Sequence, residues 1–266
     1  MQLRNRRVVI TGASRGIGAA LADEFAAAGA ELTLLARSAP QLADVAERTG
    51  AAHIVCDITD SAARAEAIEQ IESNGPIDVW INNAGVTTHG PFVEHDPADI
   101  SMLFALNLEA PIQFCRAVLP AMIDRGEGHI VNVSSMAMAV NTPLFATYGA
   151  SKAGLSSFAE SLRIELRDTR VGLTTVEIGE TDTDMLTDLR TDAEVDAMYR
   201  FYEKIKLQRV IEPAEVAVAT RAAVEGGKPF VRLPRRAAGF PAIVNLPRNI
   251  GNALQRNIGN ALQRSL

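Results

Sequence analysis

Residues 10–21 read "ITGASRGIGAAL", a glycine-rich turn between an apolar run and an alanine-rich segment of helical spacing. Its setting, strand before and helix after, decides the fold. Gly12 allows a tight turn, and Gly16 and Gly18 let backbone approach a pyrophosphate lying on the N-terminus of the next helix. The spacing is G-x-x-x-G-x-G rather than the commoner G-x-G-x-x-G. A plain glycine turn would require neither flanking element, so dinucleotide binding is the stronger reading.

Outward from that loop the same alternation continues. "RRVVITG" (6–12), "ELTLLAR" (31–37), "AHIVCD" (52–57), "IDVWINN" (77–83), "GHIVNVSS" (128–135), "VGLTTVEIG" (171–179) and "KPFVRLP" (228–234) read as buried strands. Between them lie amphipathic helices over 16–29, 40–49, 60–73, 97–125, 145–169 and 213–225. Strands apolar on both faces, separated by helices, imply a Rossmann-like, doubly wound α/β fold. It has three α/β/α layers, a seven-stranded parallel sheet and a cofactor crevice at the strand C-termini. Residues 1–234 form one domain, with 180–212 as a helical flap beside the site, and 235–266 form a basic amphipathic tail.

The 266 residues suit one large domain. Net charge is −6, but from Gly226 onward there are seven basic residues and no Asp or Glu, which leaves −13 on the first 225. An acidic body excludes a nucleic-acid-binding core. Cys56 and Cys115 give neither a disulfide framework nor a metal spacing, and both are expected as buried thiols in a reducing, cytoplasmic setting. His53, His89, His95 and His129 show no metal spacing either, and are expected at the surface or in loops. No metal is expected. His89, just past "NNAGV", is a candidate substrate contact.

Dinucleotide specificity is read at the end of the second strand, where an NAD-binding chain carries an acid for the ribose 2′-hydroxyl. This chain has Ala36, Arg37 and Ser38 there. Arg37 can pair with a 2′-phosphate, and Arg15 in the glycine loop adds a second guanidinium of suitable fork geometry. Both favour NADP(H). Further on, "TYGASKAG" (147–154) spaces Tyr148 and Lys152 one helical turn apart. An ammonium beside a phenol lowers the tyrosine pKa towards neutral and makes it an acid–base group.

The chain resembles the short-chain dehydrogenases/reductases over residues 6–234, in their NADP(H)-preferring form. The resemblance rests on "TGASRGIG", "CDITD" (56–60), "NNAG" (82–85), "LNLEA" (106–110), "GHIVNVSS" and "YGASK", in family order. Tyr148 lies 13 residues after Ser135 and 41 after Asn107. It implies a catalytic tetrad of Asn107, Ser135, Tyr148 and Lys152, with Ser135 selected over Ser134 by spacing. It also implies cofactor contacts from Gly12, Ser14, Arg15, Gly16, Ile17, Gly18, Arg37, Asp57, Ile58, Asn83, Ala84, Gly85, Gly179 and Thr183, besides Tyr148 and Lys152. Asp57 would meet the adenine amino group, Ile58 the adenine ring and Thr183 the nicotinamide carboxamide. Asn107 would order a water leading from Lys152 to solvent. The implied activity interconverts a carbonyl and a secondary alcohol. Dimers or tetramers built on 97–125 and 145–169 are implied as well.

One departure stands out. The family's Pro-Gly after the sixth strand is Ile178-Gly179 here, followed by Glu180, Asp182 and Asp184. Loss of the fixed φ of proline predicts a looser loop, with Glu180 and Asp182 pointing outward or capping the next helix. Met136, Met138, Leu144, Phe145, Met185, Leu186, Met198, Tyr199, Phe201 and Tyr202 are the candidate lining of an apolar pocket. It would suit a ketone, an aldehyde, or a keto-acyl or steroid- or lipid-like substrate. The tail repeats "RNIGNALQ" at 248–255 and 256–263 and spaces Ile250, Leu254, Ile258 and Leu262 by four. Such a basic amphipathic stretch fits an anionic membrane surface or a protein partner, and Gly251 and Gly259 weaken the helix. A protein that kept the fold but lost the chemistry is the rival class, against which the complete tetrad argues.

Overall fold

The computed structural model describes residues 1–139, 142–204, 209–235 and 239. The expectations placed on the tail repeat and on membrane contact lie outside these residues. Seven strands form one parallel sheet: β1 (Arg7–Thr11), β2 (Glu31–Ala36), β3 (Ala52–Val55), β4 (Val79–Asn82), β5 (Gly128–Ser135), β6 (Val171–Ile178) and β7 (Phe230–Leu233). Their order is β3-β2-β1-β4-β5-β6-β7. The order reverses direction between β1 and β4, which opens a crevice at the strand C-termini.

The expected three layers follow from the side-chain alternation of a strand. Val8 and Ile10 of β1 enter one core and Val9 the other; Val79 and Ile81 of β4 divide from Trp80 in the same way. Helices α1 (Gly16–Ala27), α2 (Ala39–Thr49) and α9 (Pro213–Glu225) close the first core, with Leu21, Phe25, Leu42, Val45, Val216 and Val224. Helices α3 (Ser61–Ser73), α5 (Ala110–Arg125) and α6 (Ala146–Glu165) close the second, where Trp80 packs on Phe114 with ring centroids 4.5 Å apart. Cys56 and Cys115 are buried free thiols, as expected.

The stretch 97–125 is not a uniform helix. Helix α4 (Pro97–Phe104) passes through a π-helical turn, Ala105–Glu109, before α5 begins, and the turn carries Asn107 fully buried. One extra residue in a turn rotates the chain beyond it, a common device at functional sites. This stretch is also long and apolar enough to span a membrane, but half of its most apolar window is buried inside the fold, as in a core helix.

Beyond β6 the flap forms as two helices, α7 (Asp184–Leu189) and α8 (Ala193–Lys204). Leu189 and Val195 pack on Phe145, just before α6, in a small third core with Leu144, Tyr148, Met198 and Tyr199 at its edge. The loop after Ile178 has other ties where proline is missing. Gly179 N–H donates to Leu233 O at 2.8 Å, Asp182 N–H to Ile211 O at 2.9 Å, and Ile211 N–H to Glu180 O at 2.9 Å. The expectation for the histidines needs one correction. His129 is buried on β5, with Nε2 2.8 Å from Thr174 Oγ1. Desolvation pushes its pKa down to about 4, because the low-dielectric interior penalises the imidazolium.

Candidate active site

The glycine loop is packed so tightly that side chains are excluded from it. Gly12 has φ +66°, and a Cβ built there would stand 2.7 Å from Ala84 Cα. A Cβ on Gly18 would stand 2.1 Å from Gly12 O and 2.6 Å from Asn83 Nδ2. Thr11, a residue the motif did not single out, ties the turn to β4: its Oγ1 accepts from Asn83 N–H at 3.0 Å and Ala84 N–H at 3.1 Å. Asn83 Nδ2 in turn donates to Thr11 O at 3.0 Å. Helix α1 therefore begins with its free N–H groups over a groove of about 680 Å³. Gly12, Ser14, Arg15, Gly16, Ile17, Gly18, Arg37, Ile58, Asn83, Ala84, Gly85 and Thr183 all line it, with Ser38, Gln41 and Cys56 as additions.

Of the other expected contacts, Gly179, Tyr148 and Lys152 line the neighbouring cavity instead, and Asp57 lines neither. Its Oδ1 accepts from Thr59 N–H at 2.9 Å and lies 2.8 Å from Thr59 Oγ1. Those bonds hold its carboxyl below the ordinary value. Arg15 likewise pairs with Asp184, at the start of the flap, at 3.0 Å.

The groove runs into a smaller cavity of about 210 Å³ on the other side of Gly85 and Thr183. Ser135, at the end of β5, and Tyr148 and Lys152, on successive turns of α6, converge there. The Ser135 side chain acts on the Tyr148 hydroxyl and draws its pKa down. Lys152 is buried and donates from Nζ to Val133 O at 3.1 Å. A Cβ on Gly85 would lie 3.2 Å from Asn107 Oδ1 and 3.3 Å from Lys152 Nζ, so the fourth member of the set stands at the same spot. Asn107 is held by Val86, accepting from its N–H at 2.9 Å and donating to its O at 2.8 Å, and donates to Ser151 Oγ at 3.2 Å.

The electrostatics depart from the expected tyrosine activation. Burial pushes the Tyr148 hydroxyl up from the ordinary phenol value, and only the Ser135 side chain draws it down. The ammonium donates to the Val133 carbonyl and lies 5.9 Å from the tyrosine ring centroid. Desolvation lowers Lys152 itself to about 8.

With this arrangement in view, the family profile described as short chain dehydrogenase matches residues 6–194. The chain belongs to the short-chain dehydrogenase family. A short chain dehydrogenase of Pseudocercospora fijiensis is 37% identical over 179 residues, 64% of this chain and 58% of its own length. The ketoacyl reductase HetN of Nostoc is 35% identical over 198 residues, covering 72% and 69%. The chain thus spans roughly six-tenths to seven-tenths of these relatives' lengths. A short-chain dehydrogenase of Sphingobium yanoikuyae, solved in complex with NADPH, superposes with a TM-score of 0.80 at 28% identity, covering 92% of this chain and 94% of that one.

In this short-chain dehydrogenase the cavity's far wall is mostly apolar and aromatic. Phe145, Met136, Met185, Leu186, Tyr199 and Tyr202 line the cavity as expected; Leu144, Met138, Met198 and Phe201 do not, and Phe201 is 57% exposed. His89 is not in the lining; its ring sits 6.3 Å from that of Phe145 and its Nε2 lies 3.8 Å from Asp192. Asp182 is exposed, but Glu180 neither points outward nor caps a helix. It is buried in the lining, with Oε2 accepting from Arg190 Nη2 at 2.9 Å. Arg190 also pairs with Glu203 and with Asp196, and its guanidinium lies 5.5 Å from the Tyr199 ring centroid. Burial pushes Glu180 up to about 7, although Arg190 opposes the shift.

Proposed function

We propose that this chain is an NADP(H)-dependent oxidoreductase that interconverts a carbonyl and a secondary alcohol on a largely apolar substrate. The observation that carries the reading is the meeting of the two hollows. A hydroxyl pair, Ser135 and Tyr148, stands in an apolar cavity beside a glycine-walled groove and next to a buried lysine. The groove fits a dinucleotide, since Gly12 and Gly18 leave no room for side chains and α1 turns its N–H groups there. Arg37 at its rim, without a carboxylate at Ala36 or Ser38, supports the 2′-phosphorylated form. The NADPH complex of the Sphingobium relative points the same way.

A bound nicotinamide supplies or takes the hydride. The protein's own task is to handle the oxygen. Ser135 and Tyr148 donate hydrogen bonds where negative charge gathers on a reacting carbonyl, a stabilisation worth about 3 kcal/mol per preorganised donor. Tyr148 releases its proton to that oxygen. The raised phenol pKa keeps the proton in place at neutral pH, which suits the acid needed for reduction. Lys152 holds a positive charge near its ring, and Asn107 fixes the Val86 backbone and the Lys152 surroundings.

The test follows NADPH oxidation at 340 nm with apolar ketones and aldehydes. Wild type is expected to turn over with NADPH and poorly with NADH. Tyr148→Phe is expected to lose about 10²- to 10⁴-fold in kcat, the usual contribution of a positioned acid. Equal rates for the Tyr148→Phe variant and wild type would overturn the reading.

A further inference from the structure

Glu180 is a charged group in the cavity lining that the oxygen-handling set does not use. Its side chain is 3% exposed. Oε2 is taken by Arg190, while Oε1 is buried without a hydrogen-bond partner among the described residues. A carboxylate oxygen removed from water and given no donor is unfavourable, and a hydrogen-bond donor on a ligand would relieve that cost. The wall around it is aromatic and aliphatic, from Phe145, Leu186, Leu189 and Tyr199. Glu180, Tyr148 and Tyr199 all line this one cavity, so acid and catalytic phenol share one small space. The flap is acidic throughout: residues 180–204 hold eight Asp or Glu against three Arg or Lys.

These observations specify a ligand from two ends. At Ser135 and Tyr148 the site presents donors to an oxygen, and at Glu180 it presents an acceptor. We propose that Glu180 is the specificity-determining residue of the cavity, its carboxylate accepting a hydrogen bond from a hydroxyl or protonated amine on an otherwise apolar carbonyl substrate. The same carboxylate and the acidic flap turn away anionic substrates, including acids and acyl groups on phosphate-bearing carriers. This rests on the carbonyl–alcohol reading above and narrows its substrate class. Arg190 acts through Glu180, by fixing Oε2 and with it the carboxylate.

Three ketones of one carbon skeleton test it: one unsubstituted, one with a distal hydroxyl and one with a distal carboxylate, each assayed with NADPH. Wild type is expected to prefer the hydroxy ketone by about tenfold or more in kcat/KM and to use the carboxylate least, since one hydrogen bond to a buried charge is worth at least a factor of ten. Glu180→Gln replaces the acceptor with an amide donor while leaving an oxygen for Arg190. It is expected to abolish the hydroxyl preference and to raise the carboxylate relative to the other two. Glu180→Asp keeps the charge but withdraws it, so the hydroxyl preference falls while the carboxylate stays excluded; this variant also serves if Glu180→Gln does not fold, as judged by circular dichroism. A wild-type enzyme that reduces all three alike, or a preference unchanged in both variants, overturns the inference and leaves the carbonyl–alcohol reading standing. No NADPH oxidation with any of the three in wild type overturns that reading, and the inference with it.

Discussion

The groove and the cavity share Ile17, Asn83, Gly85, Val86, Thr183 and Met185, yet they are built by opposite means. The groove is made by leaving side chains out. Its central glycines let backbone meet backbone, and its ties, Thr11 to Asn83 and Ala84, join adjacent strand ends. The cavity is made by bringing side chains in from far apart: Phe145 before α6, Glu180 after β6, Leu189 at the end of α7 and Tyr199 on α8. The first design tolerates almost no variation. The second can change its preference through one residue while the chemistry beside it is kept.

Adding a single carbon should break the groove side outright. Gly18→Ala places a methyl 2.1 Å from Gly12 O, against backbone that has nowhere to move. A loss of about 3 kcal/mol in stability is expected from such overpacking, along with loss of NADPH binding by calorimetry. A variant that folds and binds as wild type would show that the loop is looser than its contacts imply.

On the cavity side the expected effect is nearly as large but depends on pH. Arg190→Met leaves Glu180 without its partner, and about 3 kcal/mol should be lost at pH 8. Glu180 already has a folded-state pKa raised to about 7, so the fold binds its proton more tightly than the unfolded chain does. Lowering the pH to 6 protonates the group and should relieve part of the loss. Urea titrations at both values check the sign; a penalty independent of pH would mean that the buried charge is not the cause.

His129 provides a control outside both hollows, with the opposite sign. Its folded pKa is lowered to about 4 from 6.5, so the fold favours the neutral ring. That contribution is complete above the unfolded value and is lost as pH falls towards 4. Between pH 7 and pH 5 it should remove about 2 kcal/mol from wild type. His129→Gln should lack this component in the difference between the two titrations.

The smallest effect is expected where the two hollows touch. Arg15 and Asp184 are about two-thirds exposed, so Asp184→Asn should change stability by less than about 0.5 kcal/mol. Freed of its carboxylate partner, Arg15 should bind the 2′-phosphate about twofold tighter, a change of about 0.4 kcal/mol. NADPH and NADH titrations by fluorescence would separate this from a general effect on dinucleotides.

How much of this was legible in advance follows the same division. The glycine loop, the strands and the Tyr148–Lys152 spacing were readable because each is a short-range pattern. The π-helical turn at Asn107 was not, because an inserted residue leaves helical periodicity nearly intact over so short a stretch. His129 was misread because one histidine in an alternating strand gives no sign of how thoroughly its neighbours will cover it. Asp57 carries the expected motif letters, and its Oδ1 also accepts from Thr59, two residues away, a tie the motif does not announce.

By itself, then, the sequence determined the doubly wound sheet and the glycine-walled groove at its switch point. Alternation and turn chemistry act between near neighbours and do not depend on the rest of the chain. Only the tertiary structure decided that Glu180 would be buried against Arg190 and left with one oxygen unpaired among the described residues. Desolvation is a property of the space around a group, and here that space is enclosed by segments that meet only once the sheet has formed.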